Sequence, residues 1–222
     1  MNDTPAPLLP RSSFPDLKLA TVTVSHGAYL PMWEANGAIY HISLHLADSV
    51  PQDQLLAWKE ERARIDARLK DTMNPPLATE REILIDEMRA VYNERVEEFL
   101  NAGCGSCLLA DARVAEAVRE TLVYANGKRF ALHAYAIMPN HLHVIVGGFG
   151  AAGQVRKQIE DWKSISAHRI NKLLHREGSV WRRDEYTHII RSREEYADQL
   201  SYVWHNPDAA GLTTGFLREK FV

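Results

Sequence analysis

Residues 129–146 read RFALHAYAIMPNHLHVIV, and this stretch decides the fold. Two strand-like runs, Arg129–Met138 and His141–Val146, flank the dipeptide Pro139-Asn140, which suits a tight connection. A connection this short brings its two strands side by side. The stretch therefore predicts an antiparallel β-hairpin.

An alternating segment nearer the N terminus predicts another strand. In Ala38–Leu46, which reads AIYHISLHL, polar and apolar residues fall on opposite faces, with His41, Ser43 and His45 on one of them. The pattern is typical of a half-buried strand. His41 and His45 share a face from which they could approach a metal ion or DNA, but half-buried strand histidines are more often structural, so we leave them out of the predicted site.

Between these strands lies a charged segment with helical spacing. Gln52–Lys70 and Thr79–Leu100 are rich in Glu, Arg, Leu and Ala, and the breaker Asn74-Pro75-Pro76 separates them. They predict a helical hairpin inserted at about residues 51–102.

The remaining chain completes the predicted element order. Further helices are predicted at Asp111–Tyr124 and Gln154–His175, and at Arg193 to about His205, where Asn206-Pro207 ends the helix. Val180–Ile190 has strand character. The resulting order predicts an α+β fold: a ferredoxin-like split βαβ sandwich with an antiparallel sheet, an extra C-terminal helix and the helical insertion.

Length and composition limit the class of protein. The 222 residues are 45% hydrophobic, enough for one good core, and we assign residues 19–222 to one domain after a polar, proline-rich, disordered arm at residues 1–18. The net charge of -3 means that any nucleic-acid surface is local. The sequence shows neither a signal peptide nor a membrane span, which predicts a cytoplasmic protein. Cys104 and Cys107 are interpreted as part of an ordinary turn.

The second strand of the hairpin carries a possible metal site. His141 and His143 lie two residues apart, so their imidazoles share a face, roughly 6.5–7 Å apart at the backbone. Leu142, Val144 and Val146 occupy the opposite face and supply burial. Two such imidazoles can converge on one ion, although His-X-His alone also fits two exposed strand histidines.

A local basic region follows between Arg156 and Arg193. Trp162, Trp181 and Tyr186 lie among its cations, a mixture typical of single-stranded nucleic-acid sites. A solvated helix face explains its helical lysines and arginines equally well. The cations are Arg156, Lys157, Lys163, Arg169, Lys172, Arg176, Arg182, Arg183, Arg191 and Arg193.

Three ordered motifs resemble one enzyme family. Residues 138–146, MPNHLHVIV, resemble the metal-binding strand of the HUH single-tyrosine transposases. Residues 178–186 (GSVWRRDEY) with 188–191 (HIIR), and residues 202–207 (YVWHNP) with 210–212 (AGL), resemble its REP-associated tyrosine transposase branch. The resemblance spans roughly residues 38–212, interrupted by the helical insertion.

The resemblance implies an enzyme that cuts and rejoins single-stranded DNA at hairpin structures during DNA transposition. It places the nucleophile, which forms a 5′-phosphotyrosine, on Tyr202, with Tyr196 and Tyr186 as rivals. Possible other roles are a domesticated protein that binds hairpin DNA without cutting, and an HUH nickase or replication initiator.

The resemblance also implies a divalent ion, Mg²⁺ or Mn²⁺, with His141 and His143 as ligands. Related enzymes use an amide or carboxylate one turn after the tyrosine, which here is Asn206; His205 and Asp198 are alternatives. The expected partner is single-stranded or hairpin DNA, with a homodimer as a further possibility. The expected DNA-contacting residues are Trp181, Arg182, Arg183, Tyr186 and Arg191.

Overall fold

The computed structural model describes residue 14 and residues 22–26, 31–77, 79–81, 83–84, 95–96, 98–150, 153–183 and 185–221. Within these ranges the strands are β1 (Val22–His26), β2 (Pro31–Ala35), β3 (Ile39–His45), β4 (Ala131–Ile137), β5 (His141–Gly147), β6 (Tyr186–Ile190) and β7 (Leu217–Lys220). The helices bounded at both ends are α1 (Gln52–Leu69), α2 (Ala112–Val123), α3 (Gln154–Leu173) and α4 (Arg193–Ala209), with a 3₁₀ turn at Leu108–Ala110.

A five-stranded antiparallel sheet organises the fold, in the order β6-β3-β5-β4-β7, while β1 and β2 form a separate antiparallel pair. Four of its strands follow the ferredoxin-like pattern, since α2 connects towards β4 and α3 connects β5 to β6. The predicted fold class is therefore confirmed. The predicted hairpin is also present: β4 pairs with β5, and the Met138 N–H donates to the His141 carbonyl at 2.8 Å.

One face of the sheet carries the larger hydrophobic core. Alternate residues of β3 and β5 point into it and pack with apolar side chains of α2 and α3. Tyr40, Leu142 and Val144 are almost fully buried there. The amphipathic helices cover this face because their apolar residues repeat at helical spacing.

The opposite face, named here the histidine face, combines a small apolar cluster with polar residues. Tyr196, Leu200 and Val203 of α4 pack on Ala134, Ala136 and Ile145 of the sheet. The Ser192 hydroxyl caps α4 by accepting from the Glu195 N–H at 3.1 Å. The C-terminal helix is thus fixed over the face that carries His141 and His143.

The predicted end of α4 is wrong, because the helix continues through Asn206 and Pro207 to Ala209. Pro207 lacks the N–H that would bond to the Val203 carbonyl, so the helix loses one backbone bond there, two residues before its end. The last turn is closed instead by N–H donation from Ala210 to the Asn206 carbonyl (3.0 Å) and from Leu212 to the Pro207 carbonyl (2.9 Å).

The other element boundaries differ less. The strand predicted at Val180–Ile190 is regular only from Tyr186, and before it a single bridge joins Trp181 to Leu46. The strands β1, β2 and β7 were not predicted from the sequence pattern.

Residues 48–107 form a second compact unit, and the predicted insertion at 51–102 falls inside it. Its packing includes Trp58 against Phe99, with ring centroids 5.6 Å apart, and an ion pair of Arg68 with both carboxylate oxygens of Glu80. The described residues at 79–81, 83–84, 95–96 and 98–101 are helical.

The predicted arm at residues 1–18 lies outside the described residues except for Phe14. The Phe14 ring packs edge-on against Tyr196, with ring centroids 6.1 Å apart. Among the described residues, no helix has the length and apolar character needed to cross a membrane.

Candidate active site on the histidine face

The pairing of β3 with β5 builds a cluster of buried polar side chains. Ser43 lies opposite His143 and His45 lies opposite His141 in the register of these strands. His41 stands two residues before Ser43 on the same face. All five side chains are at least 95% buried. Four imidazoles and a hydroxyl are therefore gathered on one face of the sheet.

The two histidines of the hairpin point their Nε2 atoms at each other. These atoms are 3.1 Å apart. The Nδ1 atom of His141 lies 2.8 Å from the Asn140 Oδ1, and that of His143 lies 2.8 Å from the Ser43 hydroxyl and 3.0 Å from the His41 Nε2. When each Nδ1 carries the proton and donates to these neighbours, both Nε2 lone pairs face one point.

Burial keeps these imidazoles neutral at physiological pH. It lowers the pKa of His141 to about 3 and the pKa of His41 to about 4, and it holds the pKa values of His143 and His45 well below the ordinary value. A neutral imidazole offers the lone pair that a metal ion requires. The cluster is thus in the protonation state of a metal site near pH 7.

Tyr202 lies over this pair of histidines. Its ring centroid is 5.3 Å from that of His143 and 5.7 Å from that of His41, and its side chain is partly exposed. The rival Tyr196 is buried in the apolar cluster and its hydroxyl is bound to His133 at 2.6 Å. The other rival, Tyr186, stacks on His188 with centroids 6.4 Å apart. Tyr202 is the tyrosine whose ring is placed against His143 of the hairpin.

Asn206 approaches His141 from the same side of α4, one turn after Tyr202. It is buried, and its interaction with the His141 side chain raises the pKa of His141, partly against the effect of burial. Its Oδ1 atom is buried without a hydrogen-bond partner that meets ordinary geometry. A buried amide oxygen without such a partner is costly unless a further group binds it.

These observations fit a divalent ion. Two imidazole nitrogens that bind one zinc ion at about 2.0–2.1 Å lie about 3.3–3.4 Å apart in tetrahedral geometry, and the observed separation of 3.1 Å is close to this. The described residues contain no group of three or more His, Cys, Asp or Glu side chains arranged to hold a metal. A third protein ligand would have to be of another type, and the Asn206 Oδ1 is suited to that role. His205 and Asp198, the alternatives, are both exposed.

Four polar residues on one side of α4 form a row, named here the polar stripe, and each of them lies near a histidine. Its members are spaced four, three and four residues apart, so they share one side of the helix. Glu195 accepts from His188 at 2.6 Å, and Gln199 approaches His41 and partly offsets the effect of burial on its pKa. The stripe consists of Glu195, Gln199, Tyr202 and Asn206.

The predicted DNA-contacting residues occupy different environments. Arg183 and Arg191 are exposed, and Tyr186 is partly buried next to His41, with ring centroids 6.1 Å apart. Arg182 is buried on the sheet edge. Trp181 belongs to the hydrophobic core, where its indole N–H donates to the Ser166 hydroxyl at 2.8 Å, so this ring is not on the surface.

The sequence interpretation missed His41, Ser43 and His45 as members of the cluster. Their alternation in the N-terminal strand was visible, but their proximity to His141 and His143 depends on which strand pairs with β5 and in which register. The only signal available was that the polar faces of both strands carry histidines. Asn140 gave a signal of its own, since it directly precedes His141.

Comparisons with known proteins give one likeness of fold. No family model and no curated protein matches the chain. Among solved structures, the chain is similar to a REP-associated tyrosine transposase bound to a REP hairpin. The TM-score is 0.40 and the sequence identity 13%, over 84% of this chain and 73% of that chain. The residue roles proposed for this chain rest on its own geometry.

Proposed function

We propose that this protein cuts and rejoins single-stranded DNA at hairpin structures, with Tyr202 as the nucleophile and a divalent ion held by His141, His143 and Asn206. The observation that carries the proposal is the position of the Tyr202 ring, whose centroid lies 5.3 Å from that of His143. The Nε2 atom of His143 in turn points at the Nε2 atom of His141. A nucleophile and a preformed pair of ligands on one buried face are the parts that phosphodiester chemistry requires.

Tyr202 attacks the phosphorus of the scissile linkage and displaces the 3′ oxygen. The products are a 5′-phosphotyrosine and a free 3′ hydroxyl, and the tyrosyl bond retains the energy needed for rejoining without a nucleotide cofactor. A phenol titrates near pH 10 in water, so the attack needs nearby positive charge. A divalent ion held by His141, His143 and Asn206 would supply that charge and would polarise the phosphate oxygens.

The chain itself holds the reacting groups in place. The sheet fixes both imidazoles, and Asn140 and Ser43 fix their tautomers through the Nδ1 atoms. The helix α4 carries Tyr202 and Asn206 on one side, so the nucleophile and the third ligand move together. Such positioning accounts for a large part of catalysis in phosphoryl transfer.

The test uses a library of labelled hairpin oligonucleotides with randomised flanks, incubated with purified protein and Mn²⁺. We expect a covalent protein–DNA adduct that survives denaturation, together with cut and joined strands. Tyr202→Phe should remove the adduct and keep hairpin binding, whereas Tyr186→Phe should still form it. An adduct in Tyr202→Phe would overturn the assignment.

The same assay separates the other possible activities. Binding of hairpins without any cut strand would make the protein a hairpin-binding protein. Cut strands without joined product would favour a nickase or a replication initiator. Unchanged cutting in EDTA would contradict the metal site.

A further inference from the structure

The edge of the sheet places one arginine beside the histidine cluster. The backbone N–H of Arg182 donates to the backbone carbonyl of His45 at 2.8 Å. This bond follows the β-bridge between Trp181 and Leu46. Trp181 belongs to the core, whereas Arg182 is bonded through its backbone to His45 of the histidine face, and its charge acts on the His45 imidazole.

The Arg182 guanidinium is buried, and none of the described residues gives it a counter-ion. The residue is 8% exposed, and its Nη1 atom is buried with no hydrogen-bond partner. Among the residues that the structure describes, no carboxylate forms an ion pair with it. A guanidinium cannot release its proton to escape this situation. A buried, permanently charged donor of this kind calls for an anion.

The two described neighbours of this charge, Lys163 and His45, do not compensate it. The Lys163 ammonium is itself a cation and is paired with Glu185 at 2.5 Å. The Nδ1 atom of His45 is likewise buried without a hydrogen-bond partner.

His45 neighbours the candidate metal site. Its ring is 6.3 Å from that of His141, centroid to centroid. His45 is therefore next to the arginine, through the backbone bond, and next to one of the proposed metal ligands. An anion bound here would lie next to the groups that handle the scissile phosphate.

We propose that Arg182 and His45 form an anion subsite that binds a phosphate oxygen of the DNA phosphodiester next to His141 and His143. The inference rests on the proposed function for the identity of its ligand. The site itself rests on the buried charge and the unpartnered nitrogens. Arg182 supplies charge and donors, and His45 supplies one further donor through its Nδ1.

Thermal unfolding of the metal-free protein in EDTA tests the subsite without any cutting. Inorganic phosphate at ten times its Kd should raise the unfolding temperature of the wild type by about 3–6 °C, and the dinucleotide dTpdT should do the same. Arg182→Met should remove both responses. Without phosphate, this variant should be at least as stable as the wild type, because it removes an unpaired buried charge.

The adjacent exposed arginine provides the matched control. Arg183→Met should keep the phosphate response, since its side chain is in solvent. A response to phosphate but not to dTpdT would overturn the proposal of a diester ligand. A phosphate response retained by Arg182→Met, or a strong loss of stability in that variant without phosphate, would show that the arginine is structural.

The adduct assay then separates this inference from the proposed function. Arg182→Lys should slow adduct formation at least about 100-fold, as expected for the loss of one donor to a reacting oxyanion. If the wild type forms the adduct and Arg182→Lys forms it equally fast, the subsite is wrong and the function stands. If phosphate binds through Arg182 and no adduct ever forms, the subsite stands and the function fails.

Discussion

At the scale of single residues, the candidate site depends on the direction in which two imidazoles present their lone pairs. Ser43 and Asn140 bind the Nδ1 atoms of His143 and His141 and leave both Nε2 atoms free to face an ion. Neighbours that orient a metal-binding histidine contribute to affinity although they do not touch the metal. The hydroxyl of Ser43 should therefore affect metal binding.

We predict that Ser43→Ala weakens Mn²⁺ binding by about 10-fold or more, because the His143 Nδ1 loses the nearer of its two neighbours and keeps only the His41 Nε2 at 3.0 Å. Isothermal titration calorimetry of the metal-free protein measures this. Ser201→Ala is the control, since Ser201 is exposed on α4 next to Tyr202 and should leave the affinity unchanged. Equal affinities for wild type and Ser43→Ala would contradict the orienting role.

Single residues also show where sequence reasoning ends. His141, His143 and Tyr202 were chosen from local spacing and motif resemblance, and they lie together in the structure. His41 was interpreted as structural because half-buried strand histidines usually are, and nothing in its own segment indicates which strand will pair with it. Arg182 and Trp181 are adjacent in a basic motif, yet Trp181 packs in the core whereas the charge of Arg182 acts on His45, a difference that depends on tertiary packing.

At the scale of elements, α4 determines which side chains meet the histidines. Its continuation through Pro207 keeps Asn206 in helical geometry, on the same side as Tyr202. The sequence predicted that the helix would stop there, since the residue before a proline disfavours helical backbone. Burial of Asn206 and Pro207 against the sheet outweighs that local preference.

We predict that Asn206→Ala weakens Mn²⁺ binding and slows adduct formation, because the third ligand is lost. Asn206→Asp should retain the metal, since it keeps an oxygen at the same place and adds negative charge. Calorimetry and the adduct assay measure both effects. His205→Ala tests the alternative ligand, and loss of Mn²⁺ in that variant would assign the role to His205 instead.

The accuracy of the predicted elements follows from their patterns. The strands β3, β4 and β5 have strong alternation or buried apolar residues, and their predicted positions agree with the structure within two residues. The four residues of β7, LREK, have no apolar alternation, and their pairing with β4 comes from tertiary contact. In the predicted strand Val180–Ile190 the first residues pair irregularly. The bridge of Trp181 to Leu46 does not continue the register in which β6 pairs with β3.

At the scale of the whole molecule, the unit at residues 48–107 is a candidate for removal. Its two ends meet: the Ser106 N–H donates to the Asp48 carboxylate at 2.8 Å, and a Cβ added to Gly105 would lie 2.5 Å from the Asp48 carbonyl oxygen. A segment whose ends are in contact can be replaced by a short linker at small entropic cost.

We predict that replacing residues 50–104 with a short Gly-Ser linker leaves the other unit folded, because that unit has its own core and sheet. Cooperative urea unfolding and an unchanged Mn²⁺ affinity are the expected results. Loss of the unfolding transition would show that the rest of the chain depends on this segment.

Buried histidines give the whole molecule a pH-dependent stability. Burial lowers the pKa of His41 and of His133 to about 4, whereas an unfolded histidine titrates near pH 6.5. Between these values the unfolded chain binds more protons, so the free energy of unfolding falls as the pH falls. Above about pH 6.5 this contribution is fully present. Carboxylates with low pKa values, such as Asp111 at about 2, act only below about pH 4.

We predict that the free energy of unfolding, measured by urea denaturation in EDTA, decreases between pH 6.5 and pH 4 by up to about 1.4 kcal/mol per pH unit for each buried histidine. The contribution of His133 can be measured by itself, because His133 is not one of the proposed metal ligands. Its Nδ1 atom lies 2.6 Å from the Tyr196 hydroxyl. The double variant His133→Phe, Tyr196→Phe replaces both partners with apolar rings, so no buried polar atom is left alone. Its pH slope should be smaller than that of the wild type by close to one proton, and an identical slope would mean that His133 is charged in the folded protein.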